Sequence, residues 1–514
     1  MTLPDWADPI YDAAEMRAAD AWAIEEAGVA SIDLMERAGQ GLARVVAEAA
    51  AGAPSLQASR GAAPIRIVVG KGNNGGDGLV AARVLREQGR AVDVLATGDL
   101  DELQGDTRTN LERLPGDGPA AFERGALDGS ACVVDCMLGT GFEGAPREPV
   151  AGAIDEINSQ QAPVVACDVP SGVDASTGEA RGDAVRARVT ATFHGSKVGL
   201  HVAPGAFCAG AVDVVEIGIP RGAPVPERAG LIAPRSLTLV PSRTREGSKF
   251  DSGTVVVAGG ARGLTGAPCL AALSAARTGA GYVQVAVPAS VEATFELRLL
   301  EQMTVALPDD AGCHVPEGLE EIERLADRAG CVVIGPGLGR SEGALELARR
   351  AAGAVQVPVL IDADGLNAHT GALETLRERR AGTVLTPHAG ELARLLEVDS
   401  SDVSAARLRS AREAAERSQA VVVLKGDDSI VAAPGGAVAV SPGGTAALAT
   451  AGTGDVLSGM VGALLAKGLG PFEAAAAGVF AHVRAGDHAA RRLGADHVIA
   501  GDVIEAIPVA MGAQ

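Results

Sequence analysis

Apolar residues along the first half of the chain fall into short unbroken runs, separated by segments whose apolar residues recur at helical spacing. The runs include IRIVV (65–69), ACVVDCML (131–138) and APVVACDVP (162–170). Valine-rich runs without alternation are typical of strands that are covered on both faces. Segments such as LVAARVLREQG (79–89) lie between them and predict helices. The repeated strand–helix order therefore predicts a parallel, doubly wound α/β sheet.

Two helices are expected before the first strand. AAEMRAADAWAIEEAG ends at Gly28, and a second helical pattern begins at Ser31, which we predict as its N-cap.

The second half repeats the α/β style after a change in composition. Residues 237–247 are polar, contain proline and lack periodicity, so we interpret them as a linker. A new strand–helix series starts at TVVVAGG (254–260), and long alanine-rich helices follow from about Gly454. We predict a first domain of residues 1–236 and a second of residues 248–514.

Composition excludes several classes of protein. A length of 514 residues suggests two or three domains. A net charge of −21 argues against nucleic-acid partners and anionic membranes, and no apolar run is long enough to span a bilayer. The N-terminus MTLPDWADPI lacks the features of a signal peptide, so we expect a cytoplasmic protein. Seven cysteines without a CxxC pair predict buried free thiols and no structural zinc.

The stretch GKGNNGGDG (70–78) follows the first predicted strand and fits the dinucleotide fingerprint GxGxxG. Asp93 is roughly placed for the acidic residue that such a site requires. However, Asp77 puts a carboxylate where a pyrophosphate would bind, and two like charges about 4 Å apart near a surface repel by about 4 kcal/mol. Asp77 would therefore need a counter-ion or an N-capping role.

Three loops with oxygen-bearing side chains follow predicted strands: NNGGDG (73–78), DCMLGTGFEG (135–144) and DVPSGVD (168–174). Because loops after parallel strands emerge at one edge of the sheet, they are expected to converge. Asparagine, aspartate and glycine also dominate ordinary turns, and for one loop alone that explanation is preferable. Three such loops in succession favour a site. Its candidate oxygen donors suit a hard cation beside a phosphate: Asn74, Asp77, Asp135, Thr140, Asp168 and Ser171.

In the second half, the string Gly452–Thr453–Gly454–Asp455 opens the alanine-rich helices. Backbone N–H groups at a helix start stabilise phosphate oxygens, and a carboxylate there can take a proton from an attacking hydroxyl. An aspartate that merely caps the helix is the simpler alternative.

The first-half motifs, preceded by MRAAD and LMERAG, resemble the NAD(P)H-hydrate epimerase domain over residues 16–220. The resemblance implies a potassium ion held by Asn74, Asp135 and Ser171, with Asp168 as acid–base catalyst. It also implies substrate contacts by Asn73, Asn74, Gly75, Gly76, Asp77, Gly139, Thr140, Gly141, Phe142, Glu143, Gly144, Ala145 and Asp168.

GTGD resembles the anion-hole motif of the ribokinase-like family. LTGAP, GPGLG, DADGLN, TPHAGE and LKG occur in the order seen in ADP/ATP-dependent NAD(P)H-hydrate dehydratases, a resemblance that covers residues 247–507. His388 alone would more often be structural, but in this company it resembles a substrate ligand. The turn at Ser248–Gly253 departs from the family pattern, so no role is assigned to Lys249. The implied substrate contacts are Ala267, Gly337, His388 and Asp455, and the implied adenine-nucleotide contacts are Lys425, Gly426, Asp427, Asp428, Ser429 and Gly454.

Together these resemblances imply a Rossmann-like N-terminal domain and a ribokinase-like α/β/α sandwich. They imply a repair enzyme for hydrated NAD(P)H: the first domain interconverts the R and S epimers, and the second dehydrates the S form. Its donor would be ADP with Mg²⁺, giving AMP and phosphate. Besides binding these nucleotides, the protein is expected to form a homo-oligomer. Two alternatives remain open, a small-molecule kinase fused to a nucleotide-binding module and a non-catalytic nucleotide-binding protein.

Overall fold

The computed structural model describes residues 3–51, 63–220 and 222–512. They form two compact units, which divide between Ala229 and Gly230. The segment up to Asp8 groups with the residues from Gly230 onward, and the residues between form the other unit. The first strand, β1 (Ala7–Ile10), belongs to the larger of two main sheets. The limits of residues 1–236, 237–247 and 248–514 stay predictions.

The first unit contains a seven-stranded sheet in the order β4-β3-β2-β5-β6-β7-β8, with every adjacent pair parallel. The predicted doubly wound parallel sheet is thereby confirmed. Its strands are β2 (Ile65–Val69), β3 (Val92–Ala96), β4 (Ala120–Ala121), β5 (Cys132–Cys136), β6 (Val164–Cys167), β7 (Val189–Phe193) and β8 (Ala211–Val215). Its helices are α1 (Ala13–Glu25), α2 (Ser31–Ala51), α3 (Asn73–Glu87), α4 (Gly105–Glu112), α5 (Val150–Ser159) and α6 (Gly205–Ala209).

Two helix starts differ from the sequence-based expectation. The Leu34 amide donates to the Ala30 carbonyl, so α2 begins at Ser31 and the predicted Ser31 N-cap is wrong by one residue. Asn73–Gly78 was expected to be a loop, yet α3 already begins at Asn73, after an extended Gly72. Side chains at Gly75, Gly76 and Gly78 would clash with the Gly70 carbonyl, Met35 and Cys136, so the close packing around this turn requires glycine.

The chain order of the first sheet reverses between β2 and β5, which both end at one edge. At such a switch point the loops leave in opposite directions, and a crevice opens between them. Helices α2 and α3 cover one face of the sheet with a core that includes Leu42 and Leu85. Helix α5 covers the other face through Ile154 and Ile157. Strand ends beneath the crevice are therefore fixed by packing on both faces.

The second unit is built on an eleven-stranded sheet in the order β1-β9-β20-β19-β18-β17-β16-β15-β10-β11-β12. Strands from β12 to β18 in this order run parallel, whereas β18, β19 and β20 pair antiparallel. The remaining strands are β9 (Ala229–Ile232), β10 (Thr254–Ala258), β11 (Tyr282–Pro288), β12 (Met303–Leu307), β13 (Asp309–Asp310), β14 (Cys313–His314), β15 (Cys331–Ile334), β16 (Val359–Ile361), β17 (Thr383–Leu385), β18 (Val421–Leu424), β19 (Ile430–Ala432) and β20 (Val438–Val440). The helices are α7 (Gly266–Thr278), α8 (Glu292–Glu296), α9 (Leu319–Ala326), α10 (Glu342–Ala354), α11 (Asp364–Asn367), α12 (Ala389–Leu396), α13 (Ser400–Ala405), α14 (Arg407–Ser418), α15 (Thr453–Ala466), α16 (Pro471–Leu493) and α17 (Ala500–Met511).

The segment expected to be a linker begins inside ordered structure. A 3₁₀ helix covers Pro234–Leu239, and Leu237 is buried in the core of the second unit. Trp6 lies in the same core, with its ring centroid 5.5 Å from that of Phe472. Residues 241–250 are exposed, so the polar composition describes only the later part of the segment.

The seven cysteines are all unpaired, as predicted, and only Cys208 and Cys313 are partly exposed. Within the described ranges, every helix is too short or too polar to cross a membrane.

Candidate active sites

A cavity of about 1330 Å³ opens at the switch point of the first sheet. Its walls come from α1, the start of α3 and the loops that follow β5 and β6. The three loops that the sequence predicts to converge do meet here. Eleven of the predicted contact residues line it: Asn73, Asn74, Asp77, Gly139, Thr140, Gly141, Phe142, Glu143, Gly144, Ala145 and Asp168.

Gly75 and Gly76 do not line the cavity; they pack into the protein. A side chain on Gly75 would clash with the Gly70 carbonyl, and one on Gly76 would meet the Met35 sulfur. A side chain on Gly70 would in turn clash with the Met137 carbonyl of the neighbouring loop. The glycine spacing thus lets the β2–α3 turn approach the loop after β5, which shapes the wall of the cavity.

Asp168 and Lys197 form a buried ion pair in the cavity wall. Asp168 follows β6 in the left-handed region, with φ of 63°, which is costly for a residue other than glycine and directs its carboxylate into the site. Lys197 Nζ lies 2.7 Å from Asp168 Oδ1, and the lysine is only 1% exposed. The same ammonium donates to Thr192 Oγ1 at 2.9 Å and to the Phe193 carbonyl at 2.8 Å, which fixes its position.

Several donors keep the Asp168 carboxylate charged. The Thr140 amide donates to Oδ2 at 3.3 Å, the Thr140 hydroxyl donates to the same oxygen, and the Thr192 hydroxyl donates to Oδ1 at 3.3 Å. Burial works against ionisation, but Lys197 and the Thr140 donors outweigh it and lower the pKa of Asp168 below its ordinary value. Asp168 is therefore a carboxylate at neutral pH.

Asp77 and Asp20 face the same cavity under different electrostatic conditions. Burial, reinforced by Asp168 and Asp20, raises the pKa of Asp77 well above the ordinary value. This rise favours the uncharged form and so weakens the repulsion expected from the sequence. Burial also raises the pKa of Asp20 to about 6, with Lys197 opposing and Asp168 adding to the shift.

The three predicted potassium ligands lie together behind the loop that follows β5. The Ser171 hydroxyl donates to Asp135 Oδ1 at 2.6 Å, and the Ser171 amide donates to Oδ2 at 2.8 Å. The Asn74 amide nitrogen donates to the Leu138 carbonyl at 2.8 Å. Asn74 Oδ1 is buried and has no partner among the described residues. Burial raises the pKa of Asp135 to about 6 despite its hydrogen bonds. An orphaned amide oxygen beside a buried carboxylate fits a cation.

The second unit places Asp455 in the first turn of α15, beside a left-handed Gly452 at the N-cap. The Thr453 hydroxyl donates to the carbonyls of Leu448 and Thr450 at 2.8 and 2.9 Å, which ties the preceding turn to the helix. Because first-turn N–H groups lack partners within a helix, they are available to an anion.

A half-buried lysine, Lys425, lies among the carboxylates of Asp362, Glu391 and Asp455. Lys425 Nζ is 2.9 Å from Asp362 Oδ1 and 3.7 Å from Glu391 Oε2, and Ser458 donates to Asp362 Oδ2 at 2.7 Å. Burial, strengthened by Asp362 and Glu391 and opposed by Lys425, raises the pKa of Asp455 to about 7. Asp455 therefore exchanges a proton near neutral pH, as a general base requires.

Four of the other predicted residues of this unit form two adjacent pairs, and a fifth, His388, caps a helix. A Cβ on Gly454 would lie 3.4 Å from Lys425 Nζ, and one on Gly337 would lie 3.3 Å from the Ala267 methyl, so each pair is adjacent. His388 caps α12, since its Nδ1 accepts from the amides of Gly390 and Glu391 at 3.0 and 3.3 Å.

The Lys425–Ser429 segment forms a tight turn held by a second buried ion pair. Arg407 binds Asp428 through two contacts of 2.7 and 2.9 Å. The Ser429 hydroxyl donates to the Gly426 carbonyl at 2.7 Å, and Asp427 packs against Gly444. Since the Asp428 side chain is taken up by Arg407, its main chain is the part left for a ligand.

Sequence reasoning missed four side chains that shape these sites: Asp20, Lys197, Asp362 and Glu391. Asp20 lies in MRAAD and the last two in DADGLN and TPHAGE, strings that were singled out without assigning these residues. Lys197 had a weaker signal, a lone lysine after the polar turn that ends β7.

Known proteins resemble both units. Residues 31–199 match the family described as the YjeF-related protein N-terminus, and residues 255–509 match the NAD(P)H-hydrate dehydratase family. The bifunctional NAD(P)H-hydrate repair enzyme of Salinibacter ruber is 41% identical, over 83% of this chain and 82% of the relative. The enzyme of that name from Moorella thermoacetica is 40% identical, over 84% and 82% of the two chains.

One similar solved structure is the ADP/ATP-dependent NAD(P)H-hydrate dehydratase of Bacillus subtilis, co-crystallised with ATP and Mg²⁺. It is 27% identical, with a TM-score of 0.47, over 55% of this chain and 96% of that one. On the identity and coverage of the curated relatives, the chain belongs to the bifunctional NAD(P)H-hydrate repair enzymes, with an epimerase unit followed by a dehydratase unit.

Proposed function

We propose that the cavity of the first unit binds hydrated NAD(P)H and interconverts its R and S epimers, with Asp168 as the acid–base residue. The observation that carries this proposal is the convergence of three glycine-rich loops on one cavity, with a charged carboxylate in its wall. A volume of about 1330 Å³ exceeds the range of about 300–1,000 Å³ usual for drug-sized ligands, so a dinucleotide has room.

The reacting carbon, C6 of the hydrated ring, bears both a hydroxyl group and the ring nitrogen. The Asp168 carboxylate accepts the hydroxyl proton as the carbon–nitrogen bond breaks, and it returns the proton after the ring closes on the opposite face. Because Lys197 and Thr140 hold Asp168 in one position, the proton moves over a fixed path. This geometry supports proton transfer at oxygen rather than hydride transfer.

A potassium ion is proposed behind the loop after β5, held by Asn74, Asp135 and Ser171. Its charge, when bound, would compensate the buried Asp135 and hold the β5 loop against the start of α3. The orphaned Asn74 Oδ1 supports this assignment. We expect epimerisation to fall when K⁺ is replaced by Li⁺, which is too small to bridge these oxygens, and to recover when K⁺ is restored. Equal rates in both salts would argue against the site.

The second unit is proposed to dehydrate the S epimer with ADP as phosphoryl donor. Asp455 takes the proton of the C6 hydroxyl while the amides of the first turn of α15 stabilise the transferring phosphoryl group. Phosphate is a better leaving group than hydroxide, so the ring nitrogen lone pair expels it, and loss of a proton from C5 then restores the 5,6 double bond of NAD(P)H. The carrying observation is the position of Asp455 in the first turn of α15, near Lys425, and burial there raises its pKa to about 7.

Lys425 and a Mg²⁺ ion are proposed to offset the negative charge of the phosphates. Lys425 lies between Asp362 and Glu391, so the carboxylates around it outnumber its single positive charge. In the part of the chain that is described, no cluster of three or more acidic, histidine or cysteine side chains would hold a metal by itself. Mg²⁺ is commonly held by one or two carboxylates together with phosphates, and Glu391 is the carboxylate proposed here.

The test is recovery of NADH absorbance at 340 nm from hydrated NADH. Wild-type protein with ADP should recover both epimers, whereas ATP in place of ADP should be a poorer donor. Asp455→Ala should abolish recovery of both epimers, and Asp168→Ala should slow only the R form. Phosphate transfer to a stable hydroxymethyl compound, without recovery at 340 nm, would instead indicate a small-molecule kinase.

A further inference from the structure

Helix α1 contributes an acidic residue, Asp20, to the epimerase cavity; it lies in MRAAD, but the motifs assign it no role. The match to the N-terminal family begins at residue 31, whereas Asp20 lies earlier, on α1. Met16, Asp20 and Ile24 are spaced four residues apart, so they share one side of the helix, and all three line the cavity. Ala19 and Ala23, on the adjoining side of α1, are buried and anchor the helix against the protein.

The chemistry of epimerisation requires a second proton-transfer group. When the Asp168 carboxylate takes the hydroxyl proton, the C6–N1 bond breaks, its electron pair goes to nitrogen, and the oxygen becomes a carbonyl. The nitrogen then needs a proton, which it gives back when it attacks the opposite face of the carbonyl. Asp168 returns its own proton to oxygen, so no proton or electron is gained or lost. A donor on nitrogen must therefore be uncharged while Asp168 is charged.

We propose that Asp20 is this second proton-transfer residue, which protonates the ring nitrogen as the ring opens and deprotonates it as the ring closes. This inference rests on the proposed epimerase function of the cavity.

The surroundings of Asp20 distinguish it from the other two carboxylates. Asp168 is held by Lys197 and by hydroxyl and amide donors, so it is fixed as the base. Asp20, in contrast, feels Lys197 and Asp168 only through charge, and it faces the cavity from α1.

The charged and titratable groups that act on Asp20 are Lys197 and Asp168, with Asp77 beside it and Arg17 on the same helix lining the cavity. Asp77 is almost fully buried, and burial raises its pKa well above the ordinary value, which disfavours release of its proton. Asp20 is half-buried, and its pKa of about 6 suits both donation and recovery of a proton.

The test compares Asp20→Asn with Glu25→Gln, which removes one charge from the same helix outside the cavity. Epimerisation is followed as recovery of R-hydrated NADH at 340 nm, with excess Asp168→Ala protein and ADP to supply dehydration. We expect Asp20→Asn to lower kcat for the R form by about 100-fold with KM changed less than threefold, and Glu25→Gln to match wild type. Dehydration of the S form by each variant reports intact folding and concentration.

The pH profile separates proton transfer from a structural role. Wild-type kcat should fall as pH rises above about 6.5, because Asp20 loses the proton it donates, and Asp20→Asn should lack this alkaline limb. Asp77→Asn should keep the limb. Loss of the limb in Asp77→Asn but not in Asp20→Asn, an increase in KM alone, or wild-type kcat in Asp20→Asn would each overturn the proposal. Failure of wild-type protein to convert the R form would instead refute the epimerase assignment itself.

Discussion

Replacing Lys197 with methionine tests the buried ion pair on which the epimerase site depends. The lysine is 1% exposed and Asp168 8% exposed, so little water can replace the lost charge. Removal of one partner of a buried pair typically costs about 3–5 kcal/mol. Because Thr140 and Thr192 still donate to Asp168, we expect about 3 kcal/mol, the lower end of that range. Without Lys197, burial should raise the pKa of Asp168, so the variant should also lose epimerisation at pH 7.

The two tryptophans make the measurement specific to one unit. Trp22 lies on α1 in the first unit, whereas Trp6 lies in the core of the second. In a Trp6→Phe background, urea unfolding followed by tryptophan fluorescence therefore reports the first unit. The free energy of unfolding should fall by about 3 kcal/mol in Lys197→Met.

A double-mutant cycle with Asp168→Asn isolates the pair. Each single change leaves one charge buried alone, whereas the double variant leaves none, so the effects should be non-additive by about 2–3 kcal/mol. A Lys197→Met protein within about 1 kcal/mol of its parent, with an unchanged rate of R-epimer recovery at pH 7, would show that the pair neither stabilises the fold nor sets the charge of Asp168.

Three further outcomes concern the second unit. The rate of S-epimer dehydration should fall about tenfold per pH unit below pH 7 and level off above it, since Asp455 must lose its proton to act as base; a flat profile would contradict that role. Burial lowers the pKa of His369 and His482 to about 4, so the stability they contribute is full above about pH 6.5 and is lost as pH falls toward 4. By pH 5 each histidine should lower the free energy of unfolding by about 2 kcal/mol, as measured by urea unfolding of a Trp22→Phe protein. His369→Asn should make this free energy less dependent on pH. Arg407→Leu should cost about 3 kcal/mol because it removes the arginine that pairs with the buried Asp428, and Arg407→Leu with Asp428→Leu should recover most of it; additive losses would refute the coupling.

Strong hydrophobic patterns predicted the elements of the fold well. The strand Ile65–Val69 occupies the predicted position, because nearly all of its residues are buried in the first sheet. The start of a helix was harder to predict where glycine dominates the sequence. NNGGDG has few apolar residues and the composition of a loop, but tight packing around Gly70 and Gly75 allows it to be helical.

Parts of the sites depend on contacts that no local pattern encodes. The motifs brought Asp168 and Asp135 into view because each follows a strand and precedes a glycine-rich turn. Lys197 lies outside the motifs, and Asp20 lies in MRAAD without an assigned role, so only the folded chain places them around one cavity. Likewise, the sequence could not show that Asp428 is taken up by Arg407.

The early strand β1 has a consequence for how the protein is made. Residues up to Asp8 belong to the second unit, and β1 and β9 form the edge of its sheet beside β20. During synthesis, about two hundred residues of the first unit are made between β1 and the rest of the second unit. The second unit is therefore the first to begin and the last to be completed. A shortened chain that starts at residue 248 would lack both edge strands and Trp6. It would expose the backbone hydrogen-bonding groups of β20, which could then pair with another chain and cause aggregation.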